Sequence, residues 1–157
     1  MSITVIEGHF NSVDGHYTLV ASRFNELIVE SLVKGAIDTL QRCGVDSGNV
    51  RLVRVPGAFE IPLAIQQIAS QNRDDAIIAL GAVIRGNTPH FEYVASTTSS
   101  GISQVALNHS IPVINGILTT NTIEQAMERA GTKAGNKGIE AAMCAVEMVS
   151  VLRQVET

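Results

Sequence analysis

The stretch Gly81-Ala82-Val83-Ile84-Arg85-Gly86-Asn87-Thr88-Pro89-His90-Phe91-Glu92 follows an apolar run, Ala76-Ile77-Ile78-Ala79-Leu80, and leads into a segment of helical composition. The run is short and β-branched enough to be a buried strand. Thr88-Pro89 predicts a helix start: a hydroxyl at the N-cap, then proline at the first helical position, where the missing N–H costs nothing. Between strand and helix, Gly81 to Asn87 reads as a loop chemically richer than a connection requires. A glycine-bearing loop entering a helix N-terminus presents unpaired N–H groups that suit an anion such as phosphate. His90 falls beside that site in the first helical turn. The positive end of the helix dipole favours a neutral imidazole there, which suits proton transfer.

Working outward, strands and helices alternate. Residues 3–6 form a short, detached strand candidate, expected to pair with a neighbouring subunit. Tyr17 to Ala21 predicts the first core strand. A helix then runs to about Cys43, with Leu27, Ile28, Leu32, Val33, Ala36, Ile37 and Leu40 on one face and Gly44 at its end. Asn49 to Val55 is the second strand, stopped by Pro56-Gly57. A helix over about 58–70 follows, with Pro62 in its first turn. The strand over 76–80 is the third, and a helix runs from Pro89 to about Asn108. Ile111 to Ile114 is read as the fourth strand, ending at Asn115-Gly116. Thr122 and Gln125 have capping-box spacing, and the last helix covers about 137–153. This alternation predicts one α/β domain over 1–157: a three-layer sandwich with a four-stranded parallel sheet flanked by helices, flavodoxin-like in outline.

Composition narrows the function. In 157 residues the net charge is −4, with 17% charged side chains, so no basic face is available for nucleic acid. Low charge with positive mean hydropathy points to surface covered by other subunits. No apolar run approaches the about 20 residues a membrane helix needs, and no leader-like N-terminus is visible; a soluble cytoplasmic protein is expected. Cys43 and Cys144 form no pair with metal or redox spacing and are read as reduced thiols.

Ligands of such sheets bind beyond the carboxyl ends of the strands. The residues there are Arg23, Phe24 and Asn25; Pro56 to Glu60; Arg85 to His90; and Asn115 with Gly116. An aromatic, a carboxylate, a histidine and an anion loop suit a polar heterocycle together with a phosphate. Phe24 as a staple under its helix, Glu60 as a partner of the helix dipole and His90 as an ordinary first-turn residue are the plainer alternatives. Glu128 to Gly138 carries Arg129, Lys133 and Lys137 among glycines, as either a solvated basic turn or an anion site completed elsewhere in an assembly. It is no Walker A loop, because the glycine spacing is wrong and no strand leads into it. GxGxxG, HExxH and GxSxG are absent, so no metal or cofactor is expected.

Four motifs together carry a resemblance. Ser22-Arg23-Phe24-Asn25, Val55-Pro56-Gly57-Ala58-Phe59-Glu60-Ile61-Pro62, Gly81 through Phe91, and Glu128 through Gly138 occur here in the order seen in the lumazine synthase family, which the chain resembles from about residue 3 to 153. The resemblance implies condensation of 5-amino-6-(D-ribitylamino)uracil with 3,4-dihydroxy-2-butanone 4-phosphate, the penultimate step of riboflavin biosynthesis. It implies that Phe24 stacks on the pyrimidine, that Glu60 with the nearby backbone of Gly57 and Ala58 holds the ribityl hydroxyls, and that Val83 and Ile84 read the uracil edge. Asn25 and Asn115 belong to the same substrate site. Gly86, Asn87 and Thr88 would cradle the phosphate, with His90 moving protons. Arg129 would close the phosphate site of the adjacent subunit, Phe59 would reach the site next door, and Lys137 would lie near the pyrimidine carbonyl.

The resemblance also implies a homopentamer with active sites between subunits. The compact Gly131 to Gly138 stretch points to the family's sixty-subunit shell, which can accompany riboflavin synthase. One departure stands out: Asn115 replaces the usual aromatic, which leaves that wall polar. A catalytically weak lumazine- or flavin-binding shell on the same fold is the alternative function.

Overall fold

The computed structural model describes residues 1–157. Its sheet comprises β1 (Tyr17–Ser22), β2 (Val50–Val55), β3 (Ala76–Ile84) and β4 (Val113–Thr120). The order is β2-β1-β3-β4 and all three pairings are parallel. The helices are α1 (Glu26–Arg42), α2 (Ile61–Ala69), α3 (His90–His109), α4 (Ile123–Glu128) and α5 (Lys137–Glu156).

The two central strands read as continuous apolar runs because both their faces are covered. Tyr17, Leu19 and Ala21 of β1, with Ile78 and Leu80 of β3, pack against Leu32, Ala36 and Leu40 of α1 and against Ala142 and Val146 of α5. The opposite side chains, Val20, Ile77 and Ala79, meet Ile61 and Ile65 of α2 and Ile102 and Val105 of α3. Truncating a fully buried Ile78 or Leu80 to alanine should therefore cost about 2–5 kcal/mol. Helices α1 and α5 approach closely at Gly138, where an added Cβ would collide with the Leu32 carbonyl. Asn136 caps α5 by accepting from the Gly138 and Ile139 amides.

Ile3 to Ile6 pairs with no strand of its own chain. The segment after it lies along α5, where the His9 amide donates to Ser150 Oγ at 3.2 Å and Gln154 Nε2 donates to the Glu7 carbonyl at 2.8 Å. Ile3 and Val5 stay 78% and 68% exposed, an apolar arm with no cover within the chain.

Four sequence expectations are corrected. β3 continues through Gly81-Ala82-Val83-Ile84, so the loop is confined to Arg85–Pro89. Pro89, not Thr88, is the N-cap of α3, and no side chain caps it. β4 runs to Thr120 instead of ending at Asn115-Gly116. Within Glu128 to Gly138, Ala130–Thr132 (β5) and Gly135–Asn136 (β6) form a small antiparallel pair where a turn was expected.

Candidate active site

The carboxyl ends of β1, β2 and β3 open onto a cleft of about 610 Å³. The β1–β2 ladder continues past the strands: the Arg23 amide donates to the Val55 carbonyl at 2.8 Å and that of Phe24 to the Pro56 carbonyl at 3.1 Å. These bonds hold Phe24 at the lip of the cleft, where its ring is 72% exposed. Such exposure excludes the staple role for Phe24 and leaves the ring face free for stacking.

Asn25 adopts the left-handed conformation (φ 64°) at the start of α1, and its Nδ2 donates to the Ala82 carbonyl at 2.9 Å. Beyond β2, a 3-10 turn over Ala58–Glu60 leads into α2 and is fixed from above, where Thr98 Oγ1 of α3 donates to the Ala58 carbonyl at 3.2 Å. That turn sets Phe59 and Glu60 on the cleft wall. β3 supplies Ala82, Val83 and Ile84, and the loop and α3 supply Gly86, Thr88, His90, Phe91 and Val94.

The fold thus gathers Phe24, Asn25, Gly57, Ala58, Phe59, Glu60, Val83, Ile84, Gly86, Thr88 and His90 around one space. Phe59 borders the cleft of its own chain. Asn87 lies on the exposed loop but does not line the cleft. Asn115 is displaced further: it pairs with Ala79, whereas the rim lies at the Ile84–Thr120 level. It sits exposed on the edge strand, its Oδ1 accepting from the Ile117 amide at 3.0 Å. Arg129 and Lys137 are also outside their own chain's cleft. Arg129 is exposed at the end of α4, its Nη1 donating to the Gln125 carbonyl at 3.0 Å.

Electrostatically the cleft is short of positive charge. Its charged or titratable side chains are Glu60 and His90, with no arginine or lysine on its walls. The loop amides and the α3 N-terminus favour an anion, yet a phosphate also calls for a cation. No three His, Cys, Asp or Glu side chains gather as a metal site requires. Sequence reading missed Val94 as a lining residue, whereas Pro56 was already placed on the rim and Ala82 and Phe91 stand in the quoted motif without an assigned role.

Fold and cleft together define an α/β protein that gathers an exposed aromatic ring, a carboxylate and a histidine in one cleft beyond its strand ends. The family model of 6,7-dimethyl-8-ribityllumazine synthase matches residues 14–153, and the chain belongs to that family. Its activity is accordingly that of a transferase, a lumazine synthase of riboflavin biosynthesis acting on small-molecule substrates. No helix is long and apolar enough to cross a membrane.

Proposed function

We propose that each active site is completed by a neighbouring chain, with the cleft binding the pyrimidine and the anion loop sharing the phosphate with the neighbour's Arg129. The observation that carries this reading is the mismatch between a cleft without a cation and an exposed Arg129 outside it. Uncovered apolar surface supports it. A second cleft of about 430 Å³ lies on the other side of Asn25 and is lined by Leu27, Ile28, Ile123 and Met127. Leu27 is 91% exposed. The outer face of α3 carries no charged residue between Glu92 and His109, which suits burial against other copies.

In this reading Phe24 stacks on the pyrimidine and Glu60, with Gly57, Ala58 and Asn25 around it, orders the ribityl chain. The backbone of Val83 and Ile84 meets the uracil edge. Gly86, Asn87 and Thr88 receive the phosphate, and Lys137 and Asn115 act from a neighbour. The uracil amine attacks the ketone, water leaves to give an imine, phosphate departs, and the second amine closes the ring with loss of another water. His90 moves the protons. The substrates carry their own reactivity, so orientation provides most of the rate.

The assembly is a pentamer, extended to a shell, with Ile3 to Ile6 pairing on the adjacent subunit; the cytoplasm is its location and riboflavin synthase its natural companion. Mixing the two substrates with the purified protein tests the chemistry. Lumazine absorbance rising together with released phosphate is expected, and native mass gives the assembly. Binding of lumazine without turnover would favour the weakly catalytic binding shell.

A further inference from the structure

We propose that Arg85 is the positioning residue for the phosphate half of the site, its guanidinium stapling the loop Gly86–Pro89 into an anion-binding shape. The inference rests on the reading that this loop cradles phosphate.

Arg85 is the first residue beyond β3, and its amide donates to the Thr120 carbonyl at 2.9 Å, which fixes its backbone to the sheet. From there the side chain spans the loop. Its Cζ lies 4.5 Å from the centroid of the Phe91 ring, and Nη1 is 3.5 Å from Glu92 Oε1. Both partners sit in the first turn of α3, on the far side of the loop. A third contact points elsewhere: Nε donates to Asn121 Oδ1 at 2.9 Å, on the connection that leads into α4.

The loop has little else to hold it. Gly86 through His90 are exposed, and space beside Gly86 is empty, with no atom within 4 Å of where a Cβ would stand. An exposed Arg–Glu pair contributes little by itself. Three contacts on one rigid plane do something different, because they fix direction, and lysine has no such plane. Arg85 does not line the cleft, so it is not itself the phosphate ligand. Phe91 does line it, and the group that staples the loop therefore also braces a wall of the site. Ordering the loop in advance removes that entropy from the binding step.

The same contacts lead on to Arg129. The Asn121 amide donates to Gln125 Oε1 at 2.8 Å, and the Gln125 carbonyl accepts from Arg129 Nη1 at 3.0 Å. One guanidinium thus ties the loop of a chain's own site to the segment bearing the cation it offers its neighbour.

The test compares wild type, Arg85→Ala, Arg85→Lys and Asn121→Ala in steady-state turnover, with inorganic phosphate as a competing ligand. In Arg85→Ala, KM for the butanone phosphate and the inhibition constant for phosphate should both rise about tenfold. KM for the pyrimidine should stay within about twofold, because Phe24 and Glu60 are untouched. Arg85→Lys should recover little of the loss, and Asn121→Ala should shift phosphate affinity in the same direction by less. If Arg85→Ala does not fold, Arg85→Lys and Asn121→Ala carry the test. Equal rises in both KM values, or a lower melting temperature with unchanged phosphate affinity, would overturn the assignment and leave Arg85 a general stabiliser. A wild type that forms no lumazine overturns the reading of the site instead; an active wild type with phosphate affinity insensitive to Arg85 overturns only the staple.

Discussion

The side-chain amide of Asn25 donates to the main-chain carbonyl of Ala82 at 2.9 Å, joining the exit of β1 to the end of β3 across the floor of the cleft. The bond makes Asn25 a brace as much as a wall. It also explains asparagine in a left-handed position, a conformation that residues with larger or β-branched side chains resist.

Asn25→Ala keeps the unfavourable backbone and orphans the Ala82 carbonyl, so it should lose about 1–3 kcal/mol of stability. Asn25→Gly relieves the backbone while losing the same bond and should fall between alanine and wild type. Urea unfolding of the three proteins checks the order.

Ser22 makes the opposite case. Its hydroxyl is buried at the end of β1 with no hydrogen-bond partner, and an added Cβ at Gly81 would stand 2.8 Å from it. Ser22→Ala should therefore raise stability by about 1 kcal/mol, with turnover unaltered. Gly81→Ala in the wild-type background should destabilise, and combining it with Ser22→Ala should recover part of that loss. A double-mutant cycle measures the coupling.

Tyr17 sets an alkaline limit. It is fully buried, its hydroxyl shares a 2.7 Å hydrogen bond with Ser12 Oγ, and burial pushes its phenol above the ordinary value of 10.0. A folded pKa raised above the unfolded one gives stability that is complete below pH 10 and falls as pH rises through the folded value. Tyr17→Phe should flatten the decline in unfolding midpoint measured from pH 9 upward.

On the proposed reading Phe24 carries the stacking, because Asn115 does not line the cleft of its own chain. Phe24→Ala should weaken pyrimidine binding by about tenfold or more, since stacking on an aromatic contributes about 1–3 kcal/mol per base. Titration calorimetry with the pyrimidine alone reads this directly, and an unchanged dissociation constant would remove Phe24 from the site.

The layer order and most of the cleft were legible because buried parallel strands and amphipathic helices leave plain periodicities at Tyr17 to Ala21, Ala76 to Leu80 and α1. Legibility failed where local residue preference and cross-strand pairing disagree. Gly81 and Asn115-Gly116 look like breaks, yet each lies inside a strand whose neighbours hold it in register. Gly116 is required there because a Cβ would press on the Ala79 carbonyl, and Asn115 satisfies its own side chain by bonding the Ile117 amide. The β5–β6 pair is too short to show any alternation. Arg85 was visible as a rim residue, but only its contacts with Phe91, Glu92 and Asn121 distinguish it from a solvated charge.

The shared site can be tested by reassembling chains that carry separate defects. Arg129→Ala is mixed with a Phe24→Ala/His90→Ala chain under conditions that dissociate and re-form the oligomer. If a site takes its cleft from one chain and Arg129 from the next, about a quarter of interfaces in a random one-to-one assembly are fully intact. Lumazine formation should then rise well above that of either parent. Activity that stays at the average of the two parents would place every essential group within one chain and contradict the account.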